Sequence, residues 1–393
     1  MNIKISNKSL LENEKITKLI IFALLFVVYM LPSGLLTNYF KINIAIDKLL
    51  FSSIMIILYI VNKIKTRKIS IPQVIFIITV LFFTILNKNI NYLLFLTILF
   101  LEDIIEYKDN IIQVLKKSDV LWLCLGFTIF YSIFYKLIGI VRVDRFAFSA
   151  IGEINQSGLA IFCLSLLLMV KNKKIGIAVM LAGLLTISRS YFIAVAIYAI
   201  SKLHITEKII DKIKNIKYCN YFVLTIISCV LLIFIGLFFI YENSIGNVYW
   251  GDDVENRLVN LLDYSNLFRF LTNIVLIMIF INKPFKLLTG LSNVEYTNMG
   301  KECYNLLNIN YKYLNPHNLF FSHLRIYGIF VILETFYISR ILQKIVNKYN
   351  LLIYIAIVLY SILLGAGLYS YWLYLSCFTL MIVNKCNEKG GTV

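Results

Sequence analysis

The run YFVLTIISCVLLIFIGLFFIY, residues 221–241, contains no charged side chain and decides the class of this protein. A helix needs about 20 apolar residues to cross the hydrocarbon core of a bilayer. Similar runs recur along the chain, because 60% of its 393 residues are hydrophobic and only 15% are charged. This composition excludes an ordinary soluble domain. It predicts an all-α, polytopic integral membrane protein.

The apolar runs predict twelve transmembrane helices, packed as a single membrane domain over residues 1–393. Most runs are near the length that spans a bilayer, although the fourth and seventh are short. The predicted helices cover 19–37, 47–62, 71–87, 90–105, 119–140, 152–170, 175–187, 189–203, 221–241, 318–340, 350–366 and 368–384.

Lysine-rich segments alternate with lysine-poor segments between these helices. The richest are 62–70, 102–118 and 201–218, together with both chain ends. Because positive charge collects in short cytoplasmic loops, both termini are predicted in the cytoplasm of a bacterial-type cell, with the chain as a multi-pass protein of the plasma membrane. The loop lysines also account for the net charge of +17, so no nucleic-acid partner is predicted.

On this topology the stretch 242–316, between the ninth and tenth helices, is one large extracytoplasmic loop. Residues 271–281 are apolar but too short to span, which predicts an interfacial helix within the loop. Aromatic rings interleaved with polar groups suit sugars, whose faces stack on rings and whose hydroxyls need acceptors. An interfacial aromatic belt is the alternative. The loop residues concerned include Tyr249, Trp250, Asp252, Asp253, Glu255, Tyr264, Glu295, Tyr296, Tyr304, Tyr311 and Tyr313.

The arginines show the opposite bias to the lysines. Six of the eight fall in predicted outer loops or at outer helix ends: Arg142, Arg145, Arg189, Arg257, Arg269 and Arg325. A guanidinium offers a planar fork of donors and keeps its charge, which favours phosphate binding. Anchoring of lipid headgroups is the simpler alternative.

Motifs for soluble activated substrates are absent from the sequence. It contains no Walker loop, no dinucleotide fingerprint, no zinc-ligand spacing and no Gly-x-Ser-x-Gly elbow. We therefore predict no cofactor and no metal, and a substrate that is already activated and delivered within the membrane. The seven scattered cysteines are predicted to be packing residues.

The segment PHNLFFSHLRIYG, residues 316–328, places polar groups at the mouth of the tenth predicted helix. Such groups are costly in lipid and therefore indicate a functional site. His317 is the favoured general base or orienting group, since an imidazole titrates near neutral pH. Asn318 is predicted either to orient a sugar or to cap the helix. His323 fits a site residue and a packing residue equally well. Arg325 lies about two helical turns beyond His317.

Five stretches of residues 140–330 together resemble the O-antigen and capsular polysaccharide polymerases, which are related to the O-antigen ligases. They are RFAFSAIGEINQ (145–156), TISRSY (186–191), the large loop with its arginines, residues 284–290, and PHNLFF (316–321) with Gly328. Two features depart from the family pattern. Gly290 has no second glycine two residues later, and Ile326 stands where many members carry an acid.

The resemblance implies a metal-independent glycosyltransferase that joins oligosaccharide repeats carried on undecaprenyl diphosphate. The growing glycan would leave its lipid diphosphate for a sugar hydroxyl of the next lipid-linked repeat. Arg189 and Arg269 are expected beside the diphosphate and His317 beside the acceptor hydroxyl. The further substrate-binding candidates are Arg142, Arg145, Glu153, Asn155, Arg257, Asn318, His323 and Arg325. The partners implied are membrane lipid, a flippase and a chain-length regulator.

Two alternatives remain open at this stage. A ligase of the same superfamily would move a finished glycan to another acceptor, and sequence separates the two activities poorly. A lipid-oligosaccharide flippase or other transporter also fits about twelve spans, but transporters typically show internal repeats, and no clear repeat is present.

Overall fold

A computed structural model describes residues 14–38, 40, 46–141, 145–151, 153–202, 220–251, 260–309, 316, 318–364 and 370–388. These residues are helical apart from turns, extended connections and one isolated bridge between Tyr249 and Asp263. The predicted all-α class is confirmed for this part of the chain.

The helices follow the predicted apolar runs closely in the first half of the chain and differ from them after residue 260. They are α1 (Glu14–Leu25), α2 (Ser33–Asn38), α3 (Ile46–Thr66), α4 (Ile71–Asn87), α5 (Thr97–Glu106), α6 (Lys108–Lys117), α7 (Val120–Leu137), α8 (Ile154–Met169), α9 (Lys173–Ala182), α10 (Arg189–Ser201), α11 (Tyr221–Ser244), α12 (Tyr264–Asn282), α13 (Lys286–Thr289), α14 (Asn293–Leu306), α15 (Leu319–Tyr327), α16 (Phe330–Gln343), α17 (Leu351–Leu364) and α18 (Ser370–Glu388). A π-helical turn (Phe26–Met30) and two 3-10 segments (Ile90–Leu96 and Gly183–Thr186) extend the regular helices.

Four of the described helices, α3, α7, α11 and α12, are long and apolar enough to cross a membrane. Shorter apolar helices of 10–17 residues accompany them. The protein is therefore a membrane protein. The number of twelve spans and the position of each end remain predictions.

The large predicted loop contains more helix than the sequence suggested. The apolar stretch predicted at 271–281 belongs to α12, which begins seven residues earlier at Tyr264 and has 19 residues. Asp263 starts this helix, because its Oδ1 accepts the Asn266 N–H at 2.9 Å. The length and apolar composition of α12 also qualify it as a candidate span, and the interfacial position of this stretch stays a prediction. A polar helix, α14, follows within the same predicted loop.

The tenth predicted helix, 318–340, is two helices. Gly328 has φ +57° and ψ −146°, a backbone conformation open essentially to glycine only, and it separates α15 from α16. His323 and Arg325 therefore lie before the break, and Glu334 lies after it.

We predicted one domain, and the described residues pack into two compact units. The first comprises Met1–Ile216, Arg340–Val358 and Ala366–Val393, and the second Lys217–Ser339 and Leu359–Gly365. In the first, α8 packs against α9, α10 and α18, and α3 packs against α5 and α18. In the second, α12 packs against α11, α14 and α15.

A buried acidic pair holds helices of the first unit together. The Asp103 carboxylate accepts from the Lys63 ammonium at 2.7 Å and from the amides of Asn62 and Gln73 at 3.0 Å each. Glu102 pairs with the Arg340 guanidinium at 3.0 Å and the Lys344 ammonium at 2.8 Å. Each of these carboxylates therefore has at least one cationic partner.

The cysteines that the structure describes are buried and unbonded to one another, as predicted for packing residues. They are Cys124, Cys163, Cys229, Cys303 and Cys377. Cys219 and the side chain of Cys386 lie outside the described residues.

Candidate functional site

Two glycines of the second unit meet in space, although 38 residues separate them. A Cβ on Gly290 would lie 2.4 Å from the Ile326 carbonyl oxygen, and one on Gly328 would lie 2.5 Å from the Leu287 carbonyl oxygen. Both glycines have positive φ, +79° and +57°. The Leu291 N–H donates to the Arg325 carbonyl at 2.6 Å, which ties the turn after α13 to the end of α15. We call this contact the glycine junction.

Arg325 lies at the glycine junction with its side chain 7% exposed. Its Nη1 donates to the Asn293 Oδ1 at 2.9 Å, and its guanidinium carbon lies 5.1 Å from the centroid of the Tyr296 ring. Its Nε is buried and has no hydrogen-bond partner among the described residues. Within that part of the chain no carboxylate pairs with Arg325, so its positive charge is compensated only by an amide dipole and a ring.

His323 and Glu334 form a buried pair across the break at Gly328. The His323 Nδ1 lies 3.1 Å and 2.9 Å from the two Glu334 carboxylate oxygens. The two side chains are 9% and 2% exposed. The Tyr327 ring meets the imidazole edge-on, with centroids 5.5 Å apart. The break brings the two groups together, because residues eleven apart on a straight helix would be separated by about 16 Å.

Asn318 begins α15 as its N-cap. Its side-chain oxygen accepts the Phe321 N–H at 3.0 Å, and the residue is 2% exposed. This gives Asn318 the capping role that the sequence left open. A direct role toward a sugar stays a prediction.

Arg269 lies on the second turn of α12 and is half-buried. One turn later, the Thr272 carbonyl accepts the Tyr296 hydroxyl at 3.5 Å. Tyr296 is the residue whose ring lies beneath Arg325. The packing of α12 against α14 and α15 therefore brings the Arg269 segment toward the glycine junction.

An exposed aromatic ring lies at the start of α12. The Tyr249 N–H donates to the Leu262 carbonyl at 2.8 Å and the Tyr264 N–H to the Tyr249 carbonyl at 3.0 Å. These bonds place the Trp250 ring nearly parallel to the Tyr264 ring, 9° apart with centroids at 5.9 Å. Trp250 is 47% exposed, whereas Tyr264, Tyr296 and Tyr304 are buried. Of these predicted sugar-stacking rings, Trp250 alone is exposed.

In the first unit, Arg145 and Arg189 come from segments joined through the backbone. The Phe146 N–H donates to the Leu185 carbonyl at 3.1 Å. The Lys136 ammonium lies 3.8 Å from the centroid of the Phe146 ring. The Arg145 segment therefore lies beside the segment that leads into Arg189, and Lys136 lies over the ring that follows Arg145.

The turn before Arg189 is fixed by close packing. The Tyr191 hydroxyl donates to the Met180 carbonyl at 2.7 Å. It occupies the space beside Gly183, where a Cβ would lie 2.1 Å from the hydroxyl oxygen. Ile187 then reverses the chain with φ +48°, and α10 begins at Arg189. The start of this helix is therefore held in place by its own neighbours.

Glu153 is an exposed residue that precedes α8. Its Oε2 accepts the Gln156 N–H at 2.7 Å, so its carboxylate caps the helix. Two buried hydroxyls, of Ser149 and Ser157, lie 3.0 Å apart nearby in the chain. Any contact of Glu153 with substrate stays a prediction.

The remaining predicted site residues fall outside what the structure describes. Arg142, Arg257 and His317 lie outside the described residues, and so does the side chain of Asn155. Of the others, Arg145, Glu153 and Arg189 belong to the first unit, and Arg269, Asn318, His323 and Arg325 to the second.

No family model, curated protein or solved structure matches this chain. Its function must therefore be inferred from its own residues and their geometry. Within the described ranges, no three His, Cys, Asp or Glu side chains come together as a metal site would require.

Sequence reasoning missed two residues of the second-unit site. Neither Glu334 nor Asn293 was assigned a role from the sequence. A carboxylate eleven residues after a histidine, with a glycine between them, was the available signal for Glu334. Asn293 carried no such signal, because its contact with Arg325 depends on the glycine junction.

Proposed function

We propose that this protein polymerises lipid-linked oligosaccharide repeats for a capsular or other surface polysaccharide. It transfers the growing glycan from undecaprenyl diphosphate to a sugar hydroxyl of the next lipid-linked repeat. The reaction takes place at the outer face of a bacterial plasma membrane, in a protein of about twelve spans with both termini in the cytoplasm.

One observation carries this proposal: Arg325 is a buried cation with no carboxylate partner among the described residues. An uncompensated buried charge costs several kcal/mol, roughly, so a fold keeps one where an anion completes it. A membrane protein meets few anions at such a place other than lipid phosphates. A lipid diphosphate supplies the missing charge and is also the leaving group of the proposed reaction.

The glycine junction supports the same proposal, because it joins two of the sequence motifs that carry the family resemblance. Gly290 and Gly328 belong to separate stretches of the polymerase resemblance, and here they pack backbone to backbone. Convergence of distant motif elements on one arginine is typical of an active site rather than of lipid-facing helices.

The chemistry needs cations and one base. The bond from the anomeric carbon to the diphosphate breaks while negative charge grows on the leaving oxygen, and fixed guanidinium groups stabilise that charge. Arg269 and Arg325, both of the second unit, are assigned this role. Arg189 beside the diphosphate, with Arg142, Arg145 and Arg257 as further phosphate contacts, stays an expectation from sequence. The acceptor hydroxyl loses its proton to a histidine of the segment 317–323, for which His317 is the choice made from sequence.

Other residues are assigned to sugar binding, and partner proteins are assigned to delivery of the repeat and control of chain length. The exposed Trp250 ring offers a stacking surface for a sugar. Glu153, Asn155, Asn318 and His323 are candidate sugar contacts. A flippase would deliver each repeat and a chain-length regulator would act on the product. No metal ion, cofactor or nucleic acid is invoked.

Deletion of the gene, followed by analysis of lipid-linked glycans, tests the function. The proposal predicts that single lipid-linked repeats accumulate in the outer leaflet and that no long polymer forms. Long chains retained on the lipid carrier would instead indicate a ligase. Repeats retained in the cytoplasmic leaflet would indicate a flippase.

Complementation with point variants tests the site. We expect His317→Ala and Arg189→Ala to abolish the polymer while both proteins insert in the membrane at parental levels. Normal chain length in both variants would contradict these assignments. Lys18→Ala serves as a control, since it removes an exposed cation from the salt bridge with Glu14 and should leave polymer length unchanged.

A further inference from the structure

The His323 and Glu334 pair is built like the base and orienting acid of a catalytic dyad. Both Glu334 carboxylate oxygens lie within 3.1 Å of a single ring nitrogen, Nδ1, and both residues are buried. A carboxylate can only accept hydrogen bonds, so an ionised Glu334 assigns the ring proton to Nδ1. The basic lone pair of the neutral ring is then on Nε2.

The position of the pair is as informative as its geometry. His323 is two residues before Arg325 on α15, one helix that also carries the capping Asn318. Glu334 comes from α16, beyond the break at Gly328. The glycine junction therefore fixes the end of the helix that carries both His323 and Arg325.

We propose that His323 is the general base of the polymerisation and that Glu334 is its positioning residue. This inference rests on the proposed function and assigns to His323 the step for which sequence alone favoured His317. Glu334 holds the imidazole in the tautomer that presents Nε2 to the acceptor hydroxyl.

The step balances without any added reagent. The acceptor hydroxyl oxygen attacks the anomeric carbon of the donor glycan, and the new carbon–oxygen bond forms as the bond to the diphosphate breaks. The bonding pair leaves on the diphosphate oxygen. The hydroxyl proton moves to the His323 Nε2, and the resulting imidazolium is balanced by the Glu334 carboxylate, while Arg325 meets the charge of the diphosphate.

The first test reads the tautomer and needs no activity. The chain has three histidines, His204, His317 and His323, so histidine labelled with ¹⁵N gives few signals, which single His→Gln variants assign. In the whole protein in lipid nanodiscs, we expect the His323 Nδ1 to be protonated and the Nε2 to be unprotonated in the neutral ring. In Glu334→Leu we expect the Nε2–H form to become the major one. A His323 ring with its proton on Nε2 in the parent protein would overturn the proposal.

The second test measures catalysis. Lipid-linked single repeats extracted from cells lacking this gene are the substrate for purified parent and variant proteins. We expect His323→Gln to reduce the turnover number by about 100-fold or more, within the usual range for loss of a general base. Glu334→Gln, which keeps the side-chain volume but not the carboxylate, is expected to reduce it by about tenfold with the KM for the repeat unchanged.

Controls separate this role from a structural one. Glu302→Gln makes the same chemical change at an exposed carboxylate of the same unit and should leave turnover unchanged. If Glu334 only braces the helix break, Glu334→Gln will match the parent in turnover, and the proposal fails. If His317→Gln abolishes turnover while His323→Gln retains it, the base is His317 and the proposal also fails.

Failure of the proposed function is distinguishable from both results. If cells lacking the gene accumulate no single repeats, or if the parent protein does not lengthen them, the polymerase assignment itself is wrong. The tautomer measurement would still report whether Glu334 orients His323.

Discussion

Each compact unit buries a cluster of charged side chains, and the two clusters differ in how their charges are compensated. In the first unit Glu102 and Asp103 are surrounded by lysine, arginine and amide donors. In the second, Glu334 is paired with His323, and Arg325 contacts only an amide and a ring among the described residues. The first cluster is complete without a ligand. In the second, Arg325 has no carboxylate partner within the part of the chain that the structure describes.

This difference separates a structural role from a binding role. Buried charges that are all paired can be explained by the need to join helices, here α3, α4 and α5 with the end of α16. A buried cation that has no anionic partner among the described residues adds nothing to stability, so its presence needs another explanation. Anion binding is such an explanation, and it accords with the arginine bias in the sequence.

The largest expected effect comes from the glycine junction, which fixes the second cluster. We expect Gly290→Ala and Gly328→Ala to prevent recovery of folded protein, since each Cβ would lie within 2.5 Å of a backbone carbonyl at a positive φ. Yield after detergent extraction and size-exclusion chromatography measures this. Gly126→Ala on α7 is the control, because no atom lies within 4 Å of its Cβ. That substitution should stabilise the helix by up to about 1 kcal/mol.

The next effect contrasts the two clusters directly. We expect Asp103→Ala to lower the free energy of unfolding by about 3–5 kcal/mol, because Lys63 is left without its carboxylate. Arg325→Met should leave the free energy of unfolding unchanged or raise it, while polymer formation is lost. Thermal unfolding in detergent, followed by tryptophan fluorescence, compares the two variants. A loss of stability in Arg325→Met as large as that in Asp103→Ala would remove the distinction between the clusters.

Substitution of the exposed ring is expected to change chain length more than stability. Trp250→Ala should shorten the polymer, because a stacking surface for sugar is lost, whereas Trp250→Phe should retain most of the parental length. Gel analysis of surface polysaccharide from complemented cells measures the distribution. Trp250→Leu keeps an apolar side chain at a membrane interface but removes the ring. Parental chain lengths in this variant would assign Trp250 to the lipid interface.

The smallest effect is a dependence of stability on acid pH at the start of α14. The hydrogen bond from the Lys286 ammonium, with help from Ser292, lowers the pKa of Glu295 to about 2. Since its folded-state pKa is below the ordinary value of 4.5, the carboxylate contributes stability above about pH 4.5 and loses it as the pH falls toward 2. The difference in unfolding temperature between parent and Glu295→Gln should shrink over this range. A constant difference would contradict the assignment.

Most helices before residue 245 could be predicted because their signal is local, although the helix Lys108–Lys117 was not. Apolar runs such as 71–87 and 221–241 reappear with nearly the same bounds, and Ser70 with Gln73 forms the capping box that starts α4. Composition alone therefore sufficed for the all-α membrane class.

The candidate site could be predicted only in part, because its key contacts are nonlocal. Arg325 and His323 were identified as polar residues in an apolar segment. Their partners Asn293 and Glu334 depend on the break at Gly328, and hydrophobicity does not reveal a break inside a continuous apolar run. The early start of α12 was missed for a similar reason, since Asn266 and Arg269 interrupt its apolar pattern.

The most direct measurement of the central claim is the unfolding temperature of the protein in nanodiscs with undecaprenyl diphosphate, for the parent and for Arg325→Gln. A ligand at about 100 times its dissociation constant stabilises by about 2.7 kcal/mol. We predict a clear rise for the parent, a much smaller rise for Arg325→Gln, and no rise for either with undecaprenol, which has the same chain but no phosphate. Equal stabilisation of the two proteins, or none of the parent, would contradict the assignment of Arg325 to a lipid diphosphate.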